Sequence, residues 1–150
     1  MHPRGLLVST VAACLLSVVL VPDVLSTTRP PRVLADAKPR HAWEVRPAWI
    51  LYTGDGSGRL GGFDGTGLVH PGHLKWESWT KSRAKGTGAV WLDDLGKVTS
   101  HKVTVIAFRP VQGRFTRLTL RYRYHGKRVV DRRGVARTGS YWSYYIISIH

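Results

Sequence analysis

The sequence contains very little sulfur. Apart from Met1, its only sulfur-containing residue is Cys14, which lies inside an apolar N-terminal segment typical of a removable leader. If that leader is cleaved, the rest of the chain has no thiol. A cysteine nucleophile, a cysteine-ligated zinc site and a disulfide framework are therefore excluded from the body of the protein.

Acidic residues are also scarce. The chain has 9 aspartates and glutamates against 23 lysines and arginines, which gives a formal net charge of +14. Such a charge attracts polyanions and carries no information about the fold. The only adjacent carboxylates, Asp93 and Asp94, would point to opposite sides of a strand and could not act as an acid/base pair there. No enzyme is therefore expected, and a small secreted hydrolase or glycan-acting enzyme is kept as an alternative.

Helical periodicity is missing as well. No stretch combines apolar residues at a 3.6-residue period with helix-capping residues. From residue 49 onward, short β-branched and aromatic runs instead alternate with glycine-containing breaks. This pattern predicts an all-β fold, a small antiparallel β-sandwich or barrel of about seven or eight strands. The clearest hairpin covers residues 115–131, where His125 and Gly126 suit a two-residue turn.

An apolar run at residues 6–21 is followed directly by Pro22, which is the layout of a signal peptide. As a helix it would be about 24 Å long, short of the roughly 30 Å hydrocarbon core, so cleavage is favoured over a retained anchor. Cleavage after Ala37 fits the A-x-A pattern, and a weaker site ends at Ser26. The predicted location is secreted or cell envelope, with membrane anchoring through residues 6–21 as the alternative.

Five prolines occur between residues 22 and 47, a composition typical of an extended tether. The sequence therefore predicts a signal peptide and linker at 1–37, a further linker at 38–47 and a single β domain at 48–150. The chain after the leader has about 113 residues, enough to build one core without a metal or disulfide.

Three motifs follow one another after residue 49. A GDG loop occupies 54–56, an L-x-W-x-x-W pattern occupies 74–79 and an A-x-G-x-G pattern occupies 84–88. In these motifs the chain resembles a group of uncharacterised small secreted actinobacterial β proteins. Members of that group carry a cysteine pair after the A-x-G-x-G strand, which this chain lacks. The resemblance implies an exported β protein and no particular reaction.

Neither a nucleotide site nor a metal site is predicted. The glycine-rich segment 54–67 contains G-x-G-x-x-G, but the glycines that follow it could not continue as the helix that a dinucleotide site requires. Asp55 and Asp64 could contribute to a Ca²⁺ loop, although EF-hand spacing is missing and a long hairpin loop is the preferred interpretation. The histidines show no zinc-binding spacing. The prediction is therefore no metal and no cofactor.

Trp76 and Trp79 are candidate contact residues. Residues three apart point to opposite faces of a regular strand, so one indole would be exposed unless a bulge intervenes. An exposed indole suits stacking on a sugar ring or an apolar partner, and packing within the protein is the preferred interpretation.

The strongest functional signal is a basic hairpin. Residues 109–137 contain ten arginines and lysines and one carboxylate, Asp131. Between 117 and 124 arginine and threonine alternate with leucine and tyrosine, so one face of the strand is predicted to be basic and the other to belong to the core. Guanidinium groups bind phosphate and carboxylate, although a basic face can also serve solubility alone.

The sequence therefore predicts a non-enzymatic exported module that binds anionic envelope polymers or lipids. Nucleic acid is not expected as a partner because of the leader, and the oligomeric state is left open. The candidate binding residues are Arg117, Arg121, Arg123, Lys127, Arg128, Arg132, Arg133, Trp76 and Trp79.

Overall fold

A computed structural model describes residues 29–36, 42–53, 57–61 and 73–147. Strands make up 74% of these residues, and no helix occurs among them. The described part accordingly contains no helix that could cross a bilayer. The strands are β1 (Val33–Asp36), β2 (Ala42–Glu44), β3 (Ile50–Leu51), β4 (Gly58–Gly61), β5 (Lys75–Trp79), β6 (Arg83–Asp94), β7 (Lys97–Val111), β8 (Arg114–Tyr124), β9 (Lys127–Thr138) and β10 (Tyr141–Ile146).

The predicted all-β fold is confirmed. Seven strands follow one another across an antiparallel sheet in the order β10-β9-β8-β7-β6-β4-β3, and β5 is an eighth strand that pairs with β6. The sheet curls into a half-barrel, and β1 and β2 form a separate two-stranded sheet. The architecture is therefore an open, curled sheet with a small second sheet.

Strand β6 joins the two parts of the large sheet. It pairs with β7 along its whole length, while its other edge is divided between β5 and β4. Gly88 makes this division possible, since a Cβ at this position would overlap the backbone carbonyl of Gly61 and the side chain of Leu74. A residue without a side chain is therefore needed where β4 approaches β6.

Tight turns connect β6 through β9. The turns after β6, β7 and β8 each have two central residues, and both residues have positive φ in all three turns. In the predicted turn, φ is 46° at His125 and 75° at Gly126. Positive φ at both positions is the type I′ geometry, which matches the right-handed twist of the paired strands. The three turns thus keep β6 to β9 in one continuous antiparallel ladder.

The core lies on the inner face of the curled sheet. Alternate residues of β7 and β8 point to this face, among them Val103, Val105, Leu118 and Leu120, and each is at most 4% exposed. Val105 and Leu120 are direct cross-strand partners. Alternation of period two therefore buries one side of each strand and leaves the opposite side on the outer face.

Strand β1 contributes to this core. Its residues Val33, Leu34 and Ala35 are at most 2% exposed. The hydroxyl of Tyr144 donates a hydrogen bond of 2.6 Å to the carbonyl of Leu34. Just before the strand, the backbone of Arg32 bonds to Gly113 and Phe115 of the main sheet, both at 2.9 Å. The N-terminal strand is therefore an integral part of the domain.

The predicted boundary at residue 48 is too late. Residues 29–36 and 42–47, assigned to a tether from their prolines, instead carry β1, β2 and the chain that leads into β3. Two of the prolines accept side-chain hydrogen bonds, from Trp79 to Pro31 at 2.9 Å and from Trp76 to Pro47 at 2.8 Å. The apolar run at residues 6–21 and Ala37 lie outside the described residues, whereas Ala35 and Asp36 of the A-x-A pattern belong to β1.

Shortening Leu34 to alanine tests the role of β1. Because Leu34 is fully buried, we expect Leu34→Ala to lower the free energy of unfolding by about 3 kcal/mol, as for other buried leucines. Val45 is 42% exposed, so Val45→Ala should change stability by no more than about 0.5 kcal/mol. Urea unfolding measures both values. Equal effects would contradict a core role for β1.

Candidate anion-binding surface

Four neighbouring arginines of β8 and β9 project from the outer face of the sheet. Arg123 pairs directly with Arg128, and Thr119 pairs with Arg132. Arg121 lies between Thr119 and Arg123 on the same side of β8. Side chains of directly paired residues project from the same side of a sheet. The antiparallel register therefore brings residues from both ends of the hairpin sequence to one surface.

Two further cations join them from β7 and β6. Lys102 directly precedes Val103, the partner of Tyr122, and therefore lies beside Arg123. Arg83 pairs with Phe108 at the far end of the same face. We name this set the cationic surface. Its members are Arg83, Lys102, Arg121, Arg123, Arg128 and Arg132.

The cationic surface contains two adjoining depressions with volumes of about 870 Å³ and 330 Å³. Arg121 and Arg132 line both depressions, Arg83 lines only the smaller, and the other three cations line only the larger. Ser100 and Thr104 also line the larger depression and add hydroxyl groups to it. The two depressions therefore meet at a shared pair of guanidinium groups.

No carboxylate neutralises this surface within the described residues. The two ion pairs found there join Lys85 to Glu77 at 2.6 Å and Arg133 to Asp131 at 2.8 Å, and neither includes a member of the cationic surface. Arg123 and Arg128 are like charges placed directly opposite each other, an arrangement that destabilises a strand pair. A bound anion would relieve that repulsion.

The structure brings together some of the predicted binding residues and separates others. Arg121, Arg123, Arg128 and Arg132 all lie on the cationic surface. Arg117 shares their side of β8, but its guanidinium donates a 2.6 Å hydrogen bond to the hydroxyl of Tyr145 and lies 5.8 Å from that ring's centroid. Arg117 is therefore held at the border of the surface by β10.

The structure places Arg133 on the opposite, inner side of the sheet. Its guanidinium binds both carboxylate oxygens of Asp131 at 2.8 Å and lies 5.3 Å from the centroid of the Tyr52 ring. Lys127 pairs with Tyr124 at the hairpin turn and shares the alternation of Arg133. The sequence-based grouping of these two with Arg132 and Arg128 fails because successive residues of a strand point to opposite faces.

The two tryptophans also face inward. The register of β5 shifts between Trp76 and Ser78, which marks a β-bulge, and both indoles therefore project to one side. Their ring centroids are 4.7 Å apart in an edge-to-face arrangement, and each side chain is half-buried. Because their N–H groups bond to the carbonyls of Pro47 and Pro31, Trp76 and Trp79 attach the N-terminal segment to the sheet.

Sequence reasoning missed Lys102 and Arg83. Both lie outside the arginine-rich stretch 109–137, and they join the cationic surface only through the pairing of β6 with β7 and of β7 with β8. The alternation of Lys102, Thr104, Ile106 and Phe108 along β7 gives a weak signal of a second face. The register needed to connect that face to β8 is not contained in the local pattern.

Buried tyrosines surround the inner ion pair. Burial raises the pKa of the Tyr52 hydroxyl, and the neighbouring Tyr122 and Asp131 raise it further, while Arg133 opposes the change. Burial likewise raises the pKa of Tyr122, with a second contribution from Asp131. These hydroxyls keep their protons at neutral pH. The ion pair of Asp131 and Arg133 therefore lies among neutral tyrosine hydroxyls, and its role on the inner side is structural.

Comparisons with known proteins do not connect this arrangement of residues to a known family or function. No protein-family profile matches the chain, and no curated protein or solved structure gives a significant match. The described residues also contain no group of three or more side chains suited to hold a metal ion. The predicted glycine-rich loop lies mostly outside the described residues.

Because of its buried tyrosines, we expect the folded protein to lose stability at high pH. Burial also raises the pKa of Tyr144, so the folded protein keeps protons that unfolded tyrosines lose near about pH 10. Stability should therefore be insensitive to these groups below about pH 9 and fall above about pH 10. Denaturant unfolding at pH 8 to 11 measures this, and Tyr144→Phe should flatten the fall. An unchanged slope in Tyr144→Phe would contradict the assignment.

Substitutions of the neighbouring residues Arg132 and Arg133 should have different effects on the stability of the protein. Arg133→Gln leaves Asp131 without its partner in a half-buried position, and we expect a loss of about 2 kcal/mol. Arg132→Gln removes the same charge from the exposed outer face and should be neutral within about 0.5 kcal/mol. Thermal and urea unfolding distinguish the two, and equal losses would contradict the opposite orientation.

Proposed function

We propose that this chain is a non-enzymatic binding module whose cationic surface takes up a polyanion bearing phosphate or carboxylate groups. The observation that supports this proposal is the convergence of six cations around two adjoining depressions on one face of the sheet. None of the six has a carboxylate partner within the described part of the chain.

The arrangement suits binding better than solubility alone. Depressions lined by charges of one sign concentrate the electric field and raise the local concentration of counter-ions. Guanidinium groups present paired N–H donors that match the oxygens of phosphate and carboxylate. Without a bound anion, the repulsion between the paired Arg123 and Arg128 would lower the stability of the protein. The neighbouring hydroxyls of Ser100 and Thr104 provide further hydrogen-bond donors.

The proposed place of action is outside the cell. The apolar run at residues 6–21 supports export, and the abundant polyanions of an envelope are phosphate-bearing wall polymers, phospholipid headgroups and acidic glycans. Cleavage after Ala37 would remove the buried strand β1, whereas cleavage at Ser26 would keep it. We therefore favour the site at Ser26 for the mature protein.

Binding of a fluorescent polyphosphate tests the proposed function. Arg132→Gln and Arg128→Gln should each weaken binding about tenfold, the effect of losing one charge-assisted hydrogen bond of roughly 1.5 kcal/mol. Lys97→Gln removes an equal charge at an exposed position that lines neither depression, and it should change the affinity less than about twofold.

Affinity should also fall steeply with ionic strength, because binding releases counter-ions from the polyanion. Fluorescence anisotropy at increasing salt concentrations gives both the affinity and the salt dependence. Equal weakening by all three substitutions would show that net charge alone is responsible and would refute a defined surface.

A further inference from the structure

We infer, on the basis of the proposed function, that the ligand is a single extended polyanionic chain with uncharged spacers between its anionic groups. In this inference the chain lies obliquely across β9, β8, β7 and β6, from Arg128 at one end to Arg83 at the other. A flat anionic membrane and an isolated small anion both fit the surface less well.

The span of the cationic surface sets the length of this chain. Arg128 is opposite Arg123, while Arg83 is opposite Phe108, six residues beyond Lys102 along β7. Strands lie about 4.8 Å apart and rise about 3.4 Å per residue, so the two ends are roughly 25 Å apart between Cα atoms. One small anion cannot reach across that distance.

The shape of the surface favours a single chain over a bilayer. The two depressions meet at Arg121 and Arg132, and we call the path through both of them the groove. A planar array of lipid headgroups would contact the rim of such a groove and leave its floor empty. One flexible polymer can follow the groove along its whole length.

The apolar side chains that line the two depressions indicate that the ligand has uncharged spacers between its anionic groups. Val130 is 38% exposed and lines the larger depression, while Phe108 is 36% exposed and lines the smaller depression together with Ile106. Along β9, Val130 lies between Arg128 and Arg132, and the side chains of Ile106 and Phe108 lie between the shared pair and Arg83. A polymer with neutral carbon segments between its anions matches this alternation better than one with continuous charge.

A length series of synthetic glycerol phosphate oligomers tests the inference. These probes alternate phosphodiesters with neutral three-carbon units. Affinity should rise at least about tenfold between the dimer and the tetramer and then level off, because added repeats extend beyond the groove. Isothermal titration calorimetry with oligomers of one to eight repeats measures this. An affinity that does not change with length, or that keeps rising at the same rate up to eight repeats, would overturn the inference.

Arg83 provides the matched substitution. Arg83→Gln should lower the affinity for the octamer about tenfold and leave the affinity for the dimer unchanged, because only the longer oligomer reaches this end of the groove. Lys81→Gln, two residues earlier and exposed in the turn before β6, should affect neither probe. Equal weakening of both oligomers by Arg83→Gln would overturn the inference, as would a loss of octamer affinity in Lys81→Gln.

Vesicles of phosphatidylglycerol separate a polymer from a lipid surface, since both carry phosphodiesters. At equal accessible phosphate, vesicles should fail to displace the octamer, and displacement would overturn the inference. The proposed function fails separately, if neither polyphosphate nor any glycerol phosphate oligomer binds. Binding without dependence on length or on Arg83 would retain the proposed function and reject only the extended chain.

Discussion

The continuous antiparallel register of β6 to β9 is the constraint on which the rest of the structure depends. A slip of one residue would move every side chain of a strand to the opposite face. Core residues such as Leu118 and Leu120 would then lie outside, and the flanking Arg117 and Arg121 would enter the core. The type I′ turns, including His125 and Gly126, fix this register locally by allowing one short connection at each end. Hydrophobic burial and charge separation thus follow from the same pairing.

A curled sheet that does not close needs something to cover its inner face. In this protein β1 supplies that cover with Val33, Leu34 and Ala35, and side chains from distant strands hold it in place. Tyr144 donates a hydrogen bond to the backbone of β1, and Trp79 donates one to the carbonyl of Pro31, just before β1. In both of these side-chain hydrogen bonds the acceptor on the N-terminal side is a backbone carbonyl. The segment can therefore be recognised as structural only from the groups that reach it.

Much of the fold could be predicted from the sequence, because alternation and turn residues act locally. The pattern around residues 115–131 predicts the hairpin and its basic face correctly. The start of the domain could not be predicted, because the contacts that bury the short apolar run Val33–Ala35 come from residues far away in sequence, such as Tyr144. The bulge of β5 is equally hidden, since it depends on how Trp76 and Trp79 fit beneath the N-terminal segment. Local composition gives strands, whereas long-range packing decides which strands belong to the core.

The candidate surface illustrates the same limit more sharply. Arg132 and Arg133 are adjacent and chemically identical, yet one lines the outer groove and the other binds Asp131 on the inner side. A count of charges cannot separate these roles, but strand alternation can, once the register is known. It also adds Lys102 and Arg83, which belong to different strands and lie far apart in sequence. Because all six cations project from paired strands, their spacing is set before any ligand arrives. A polyanion would therefore meet a surface whose backbone needs little reorganisation, and binding would mainly cost the ordering of arginine side chains.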